Sequence, residues 1–352
     1  MNLKLTNPFT ISFRFELCVF LSVFVFFAGT GCKKSSNPVP KKAADVYVSG
    51  YITALNNNNV AAYWKNGVIT VIGDSTVFSI ATGIALNGQD VYVSGAAISA
   101  TGNFIATVWK NGVPTKLTNG AESAEATAVT INGSDIYVAG YATNNVGVIS
   151  AAYWKNNMPV YLTGTVAQAI TINGGDVYAA GSSTHLNGVT GGYVNLTTYW
   201  KNGVATILPN PLPGFINGFA DGIAVSGNDV YMVGYDDQGE YWKNGTAMPL
   251  TGGQGANPWA IALSGNDVYI AGQVNNANNF FVATLWKNGT AAPLSDGTSN
   301  AVAFSITING SDVYTAGYTS KGNKPIPTYW QNSRPVSFKY IGSLTGIAVV
   351  QQ

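Results

Sequence analysis

From Asp45 onward the chain is a succession of short runs in which larger apolar residues alternate with small or polar ones, each run closed by Gly, Asn or Asp. The run Ala81–Gly88 (ATGIALNG) alternates the small Gly83 and Ala85 with the larger Ile84 and Leu86, the period-two signature of a strand. The tetrad Asn87-Gly88-Gln89-Asp90 turns the chain into DVYVSG, dense in the β-branched and aromatic residues that suit a pleated surface. A variable loop then leads to a third strand ending at Trp109. Asn111-Gly112 follows, a pair that tolerates positive φ at both positions and so predicts a two-residue type I′ hairpin. A fourth strand comes next, as in VITVIG at 68–73. No stretch sustains a 3.6-residue period, and Gly and β-branched residues recur too often for helix.

This four-strand unit is written seven times. The Asp string begins at Asp45, Asp90, Asp135, Asp176, Asp229, Asp267 and Asp312, at spacings of 45, 45, 41, 53, 38 and 45 residues. A Trp-Lys-Asn-Gly string follows each one, at Trp64, Trp109, Trp154, Trp200, Trp242, Trp286 and Trp330, reading WKNN in the third copy and WQNS in the last. Residues 45–352 number 308, or 44 per unit. Repeated four-stranded units of about 40–50 residues predict an all-β fold, a seven-bladed β-propeller. The first unit lacks its leading strand and the chain ends on an unpartnered LTGIAVV (344–350), so the C-terminal strand is expected to complete the first blade and close the ring.

The run from a glycine-ended strand to an aromatic-Trp-x-Asn-Gly strand resembles the HAF-type repeats of bacterial exported proteins and, more distantly, kelch repeats. A single glycine (Gly50, Gly95, Gly140 and their equivalents) stands where kelch units carry a pair. The resemblance covers 45–352 and implies a fold, not an activity.

The first 44 residues read as an address. Lys4 and Arg14 precede twelve nearly uninterrupted apolar residues, Leu17–Ala28, too short for a bilayer-spanning helix of about 20 residues and suited to a signal sequence. Gly29-Thr30-Gly31 then leads into Cys32. This resembles the lipobox of bacterial lipoproteins, in which such a cysteine is acylated and becomes the mature N-terminus; Gly29 occupies a place where that family usually has Leu. The expected organisation is a lipoprotein signal peptide at 1–31, a lipidated Cys32 and polar tether at 32–44, and the propeller at 45–352. By resemblance to the bacterial sorting rule, Lys33 after the cysteine favours the outer membrane of the cell envelope, facing the periplasm or the outside. With Cys18 inside the apolar run, the mature chain would hold no disulfide and no thiol nucleophile.

Composition narrows the function classes. Charged residues make up 9% of the chain and the formal net charge is +1, leaving no basic stripe for nucleic acid. A single histidine and no cysteine after Cys32 exclude a transition-metal site of the usual ligands, and no motif requires a cofactor. His185 falls in the longest insertion (182–198) and reads as an exposed loop residue. The repeated Trp and Tyr read as packing between blades, and the repeated Asp as acceptors for backbone donors at the turn. The WKNG lysine reads as lying on a solvated turn.

Candidate function therefore sits where the repeat is broken. Turns joining strands one to two and three to four are short and uniform, whereas the loops on the opposite face vary. Near the start of each first strand, on the variable face and close to the axis, one position changes from copy to copy: Thr82, Thr127, Gln168, Asp221, Trp259, Phe304 and Thr345. An acid, an amide and two aromatics in one funnel suit a glycan, by stacking and hydrogen bonds, or a protein partner; the competing reading is that Trp259 and Phe304 plug the channel. Asp236, Asp237 and Glu240 form a second group, three carboxylates within five residues that can ligate Ca²⁺ or simply form a solvated acidic turn. Binding is the leading expectation. The alternative is a polysaccharide-acting enzyme of glycoside hydrolase type, pairing Asp221 with Asp236, Asp237 or Glu240 across a glycosidic bond.

Overall fold

A computed structural model describes residues 44–186, 191–208, 218–236, 238–252 and 255–351. Cys32 and the whole of 1–43 lie outside the described residues. Seven four-stranded antiparallel sheets form the propeller. Blade 2 shows the plan: strands Ser79–Asn87, Asp90–Ile98, Phe104–Lys110 and Val113–Lys116, ordered from the axis outward. Blades 3 to 7 repeat it, with innermost strands Ala124–Asn132, Val166–Asn173, Gly218–Ser226, Ala256–Ser264 and Ala301–Asn309. In blade 1 the innermost strand is the C-terminal Gly342–Gln351, which pairs with Ala44–Thr53 through Val48↔Ile347 and Val46↔Val349. The ring closes as the end strands predict. Among the described residues no helix is long and apolar enough to cross a membrane.

The core is seven clusters, one per junction between blades. Each is built on a Trp of the WKNG string, 0–3% exposed, packed onto small residues of the preceding blade. Trp200 of blade 4, for example, meets Ala151 and Leu162 of blade 3. Trp64 of blade 1 meets Tyr314 and Ala316 of blade 7, so the junction made by ring closure is packed like the rest. A tryptophan of ~150–250 Å² makes this the dominant packing contribution of each unit.

The polar residues of the repeat form a clasp across the uniform face. Asn66 and its six equivalents adopt φ of 48–51° at the Asn-Gly turn, the left-handed conformation that a type I′ hairpin demands. From there each Asn side chain donates to the blade's Asp carboxylate at 2.7–2.9 Å. Its carbonyl oxygen accepts the backbone N–H of the residue after that Asp. In six blades the WKNG lysine closes the clasp, pairing with the second Asp oxygen at 2.7–3.1 Å while lying over the Tyr ring. Hydrogen bonds from Lys110 and Asn111 hold the Asp90 carboxyl below its ordinary range. In blade 7 Gln331 takes the lysine's place, reaching Asp312 and the Tyr314 hydroxyl. One expectation changes here: the Asp accepts from an Asn side chain and a Lys rather than from backbone, while the lysine stays solvent-exposed as expected and pairs there. His185 also differs, because the pairing of the second and third strands of blade 4 continues to Leu186↔Tyr193. His185 pairs with Val194 inside strand Asp176–Leu186, half-buried, its Nε2 2.7 Å from Ser183 Oγ.

Candidate functional site

The seven variable positions share one structural identity. In every blade the pairing of the innermost strand slips by one residue, and the unpaired residue is the variable one. Thr82 lies between Ala81↔Gly95 and Gly83↔Ser94, and Thr127, Gln168, Asp221, Trp259, Phe304 and Thr345 sit likewise. A β-bulge places an extra residue out of the ladder and re-aims its side chain. Each of the seven keeps part of its surface exposed, while the residue before it (Ala81, Ala126, Ala167, Ala220, Pro258, Ala303, Leu344) is buried. The repeat's single glycine has its reason at the same level. At Gly140 a β-carbon would collide with the carbonyl oxygen of Glu125 on the innermost strand, so only glycine fits opposite the bulge.

The bulges differ in what they do. Thr82 and Thr127 donate to Ala126 O and Ala167 O of the following blade, both at 2.6 Å, and Thr345 donates to Ala81 O at 2.8 Å. Three successive junctions (1–2, 2–3 and 3–4) are thus bridged at the axis, and those hydroxyl protons are committed internally. Gln168, Asp221, Trp259 and Phe304 occupy the remaining arc, blades 4 to 7. Trp259 and Phe304 meet edge to face at 5.4 Å, Phe304 lies 6.0 Å from Tyr318, and Trp259 Nε1 donates to Gln273 Oε1 at 2.6 Å. Both aromatics retain exposed surface, so neither is a fully buried plug. Asp221 still touches solvent but is surrounded by protein on most sides, and that desolvation pushes its carboxyl up to about 7.

A second tier went unrecognised in the sequence. The residue after the repeat's glycine supplies it: Gln273 accepts from Trp259, Tyr318 lies beside Phe304, and Tyr51 is near enough to Tyr318 to act on its hydroxyl, while Tyr141 and Tyr235 hold the same position in blades 3 and 5. Burial raises the hydroxyls of Tyr51, Tyr141 and Tyr318, and it raises the half-buried carboxyl of Glu125 opposite Tyr141. The available signal was the second variable column, immediately after an invariant one.

Among the described residues, Glu240 and Asp236 do not share a face with Asp221. Glu240 pairs with Gly234, which pairs with Ala220, so it shares the face of Ala220 and Trp242 packed toward blade 4. The bulge of Asp221 turns toward blade 6, where Gly222 abuts Ala260 and Ile261. Asp221 and Glu240 lie on opposite faces of blade 5, an arrangement that does not favour their flanking one glycosidic bond. Asp236 is buried on Glu240's face, and Asp237 lies outside the described residues.

The ring defines the chain as a seven-bladed β-propeller. No family model matches the chain, and no curated protein matches it. Among solved structures it is similar to a puromycin-hydrolyzing peptidase from Mycobacterium tuberculosis, at 9% identity and TM-score 0.54 over 84% of this chain and 51% of that one. This chain therefore spans about half of that protein. The WD40 β-propeller domain of Doa1 (13%, TM-score 0.44, 75% and 85%) and a GH43_1 enzyme from Xanthomonas citri complexed with xylotriose (10%, TM-score 0.33, 64% and 90%) also match. At these identities the likeness is one of fold alone.

Proposed function

We propose that this propeller is a binding module for glycan, displayed at a bacterial cell envelope by a lipid on Cys32. The HAF-like character of its repeats and the signal-like 1–31 segment support the exported, membrane-anchored part of this reading. The observation that carries the binding part is the arc of bulge residues in blades 4 to 7, where an amide, a carboxyl and two partly exposed aromatics stand together on a rigid ring. Aromatic faces stack on the apolar faces of sugar rings, while Gln168 and Asp221 supply hydrogen-bonding groups beside them. Because Thr82, Thr127 and Thr345 bridge blades, the ligand is assigned to the opposite half of the axis. Catalysis by paired carboxylates finds no support in the placement of Asp221 and Glu240.

A thermal-shift screen of the full-length protein against oligosaccharides and polysaccharides tests this. Ligand at 100 times its dissociation constant adds about 2.7 kcal/mol of stability, and Trp259→Ala is expected to abolish the shift. No shift across the panel, with a partner recovered by cross-linking on intact cells, would replace glycan by protein as the ligand.

A further inference from the structure

The junction between blades 4 and 5 breaks the packing rule that the other junctions follow. In the six other blades the position paired with the repeat's glycine on the third strand is Ala or Thr: Ala62, Thr107, Ala152, Thr198, Thr284 and Thr328. In blade 5 it is Glu240. Two positions beyond the glycine on the second strand, where the other blades carry the uncharged Ile52, Ala97, Ala142, Ser183, Val274 and Thr319, blade 5 has Asp236. The facing blade changes too, with Thr197 where blades 1, 2, 3 and 6 carry Ala61, Ala106, Ala151 and Ala283. Gly218 clears the space between them: a β-carbon there would stand 2.6 Å from Thr197 Oγ1 and 3.5 Å from Asp236 Oδ1.

All three polar side chains are buried, Thr197 at 2%, Asp236 at 5% and Glu240 at 9% exposure. Glu240 Oε1 accepts from Gln238 Nε2 at 3.3 Å, but Glu240 Oε2 and Thr197 Oγ1 have no hydrogen-bond partner. Glu240 also borders an open cavity of about 490 Å³ at the outer edge of blade 5, lined by Gln238, Ala247, Met248, Pro249 and Leu250 and not by Asp236 or Thr197, which gives solvent a route to its carboxylate. Buried charges in proteins are paired or hold metals, because an uncompensated one is costly. The unsatisfied oxygens of Glu240 and Thr197, with the Asp236 carboxylate beside Thr197, form an all-oxygen donor set, which suits a hard divalent cation. An irregular set completed by water suits Ca²⁺ better than Mg²⁺, which demands near-ideal octahedral geometry.

We propose that the blade 4–5 junction is a Ca²⁺ site ligated by Glu240 and Asp236 with Thr197, a cation that staples two neighbouring blades. The site is separate from the bulge arc and does not depend on glycan binding. The test uses the full-length protein stripped with chelator and titrated with CaCl₂, followed by thermal unfolding and by Tb³⁺ luminescence, with Tyr241 and Trp242 next to Glu240 as energy donors. Ca²⁺ should raise the melting temperature by several degrees and displace Tb³⁺. Glu240→Gln should weaken Ca²⁺ binding at least tenfold while melting above the wild type in chelator, because it removes the uncompensated charge. Thr197→Ala, a smaller change that keeps both carboxylates, should weaken binding more modestly. Absence of both Ca²⁺ stabilisation and Tb³⁺ emission would overturn the proposal, as would binding that survives Glu240→Gln and Asp236→Asn unchanged.

Discussion

Asp221 carries the one carboxyl of the bulge ring, and its chemistry is set by what surrounds it. At the equivalent position Thr82 and Thr127 donate to the next blade's carbonyl; an ionised carboxylate cannot donate, whereas a protonated one can. Burial raises its pKa from 3.8 to about 7, so the folded protein holds this proton where the unfolded chain has lost it. The associated stability is complete below about pH 4, declines as pH rises toward 7 and is gone above it. The full shift corresponds to at most about 4 kcal/mol, lowered by the solvent that Asp221 still meets. Asp221→Asn is therefore expected to raise the melting temperature at pH 8, to leave it nearly unchanged at pH 4, and to flatten the profile between. Melting curves of both proteins over that range check it, and parallel profiles would show that Asp221 does not titrate as its burial dictates. The acid itself was legible in the sequence, as the one charged residue in a variable column. Its protonation was not, because burial at the axis depends on six other blades.

Bulges explain how elements with nearly the same sequence present different side chains. The strand pattern, the hairpin turns and the Trp packing could be read from alternation and from Asn-Gly, since those signals are local and repeated seven times. The bulge could not, because an extra residue in one strand shows only against the register of its partner. The variable column marked where it falls without revealing that Thr127 faces a carbonyl of blade 4. The clasp was half visible: Asp, Lys and Asn recur together, but their meeting across about 20 residues needs the hairpin folded. Thr127→Val keeps the shape and removes the donor to Ala167 O. It should cost about 1–2 kcal/mol in urea denaturation, with Thr127→Ser restoring most of the loss. An unchanged midpoint for the valine variant would mean that the bulge threonines do not tie adjacent blades.

At the scale of the whole ring, one face is uniform and the other individual. The uniform face is held by seven clasps, and packing is held by seven buried tryptophans. Stability is thereby distributed around the disc, and the axial positions of the variable face are free to differ. Ring closure was foreseeable because a missing strand and a spare one are matters of counting. The relation between Asp221 and Glu240 was not, since residues close in sequence came to opposite faces of one blade. Trp259 is the only one of the eight tryptophans left partly exposed, and it sits in the arc assigned to the ligand. Acrylamide quenching of tryptophan fluorescence, with and without saturating oligosaccharide, therefore reads that arc almost alone. A single accessible component is predicted, absent in Trp259→Phe and shielded when glycan is bound. Glycan that saturates the protein while Trp259 stays as accessible as before would place the binding surface elsewhere.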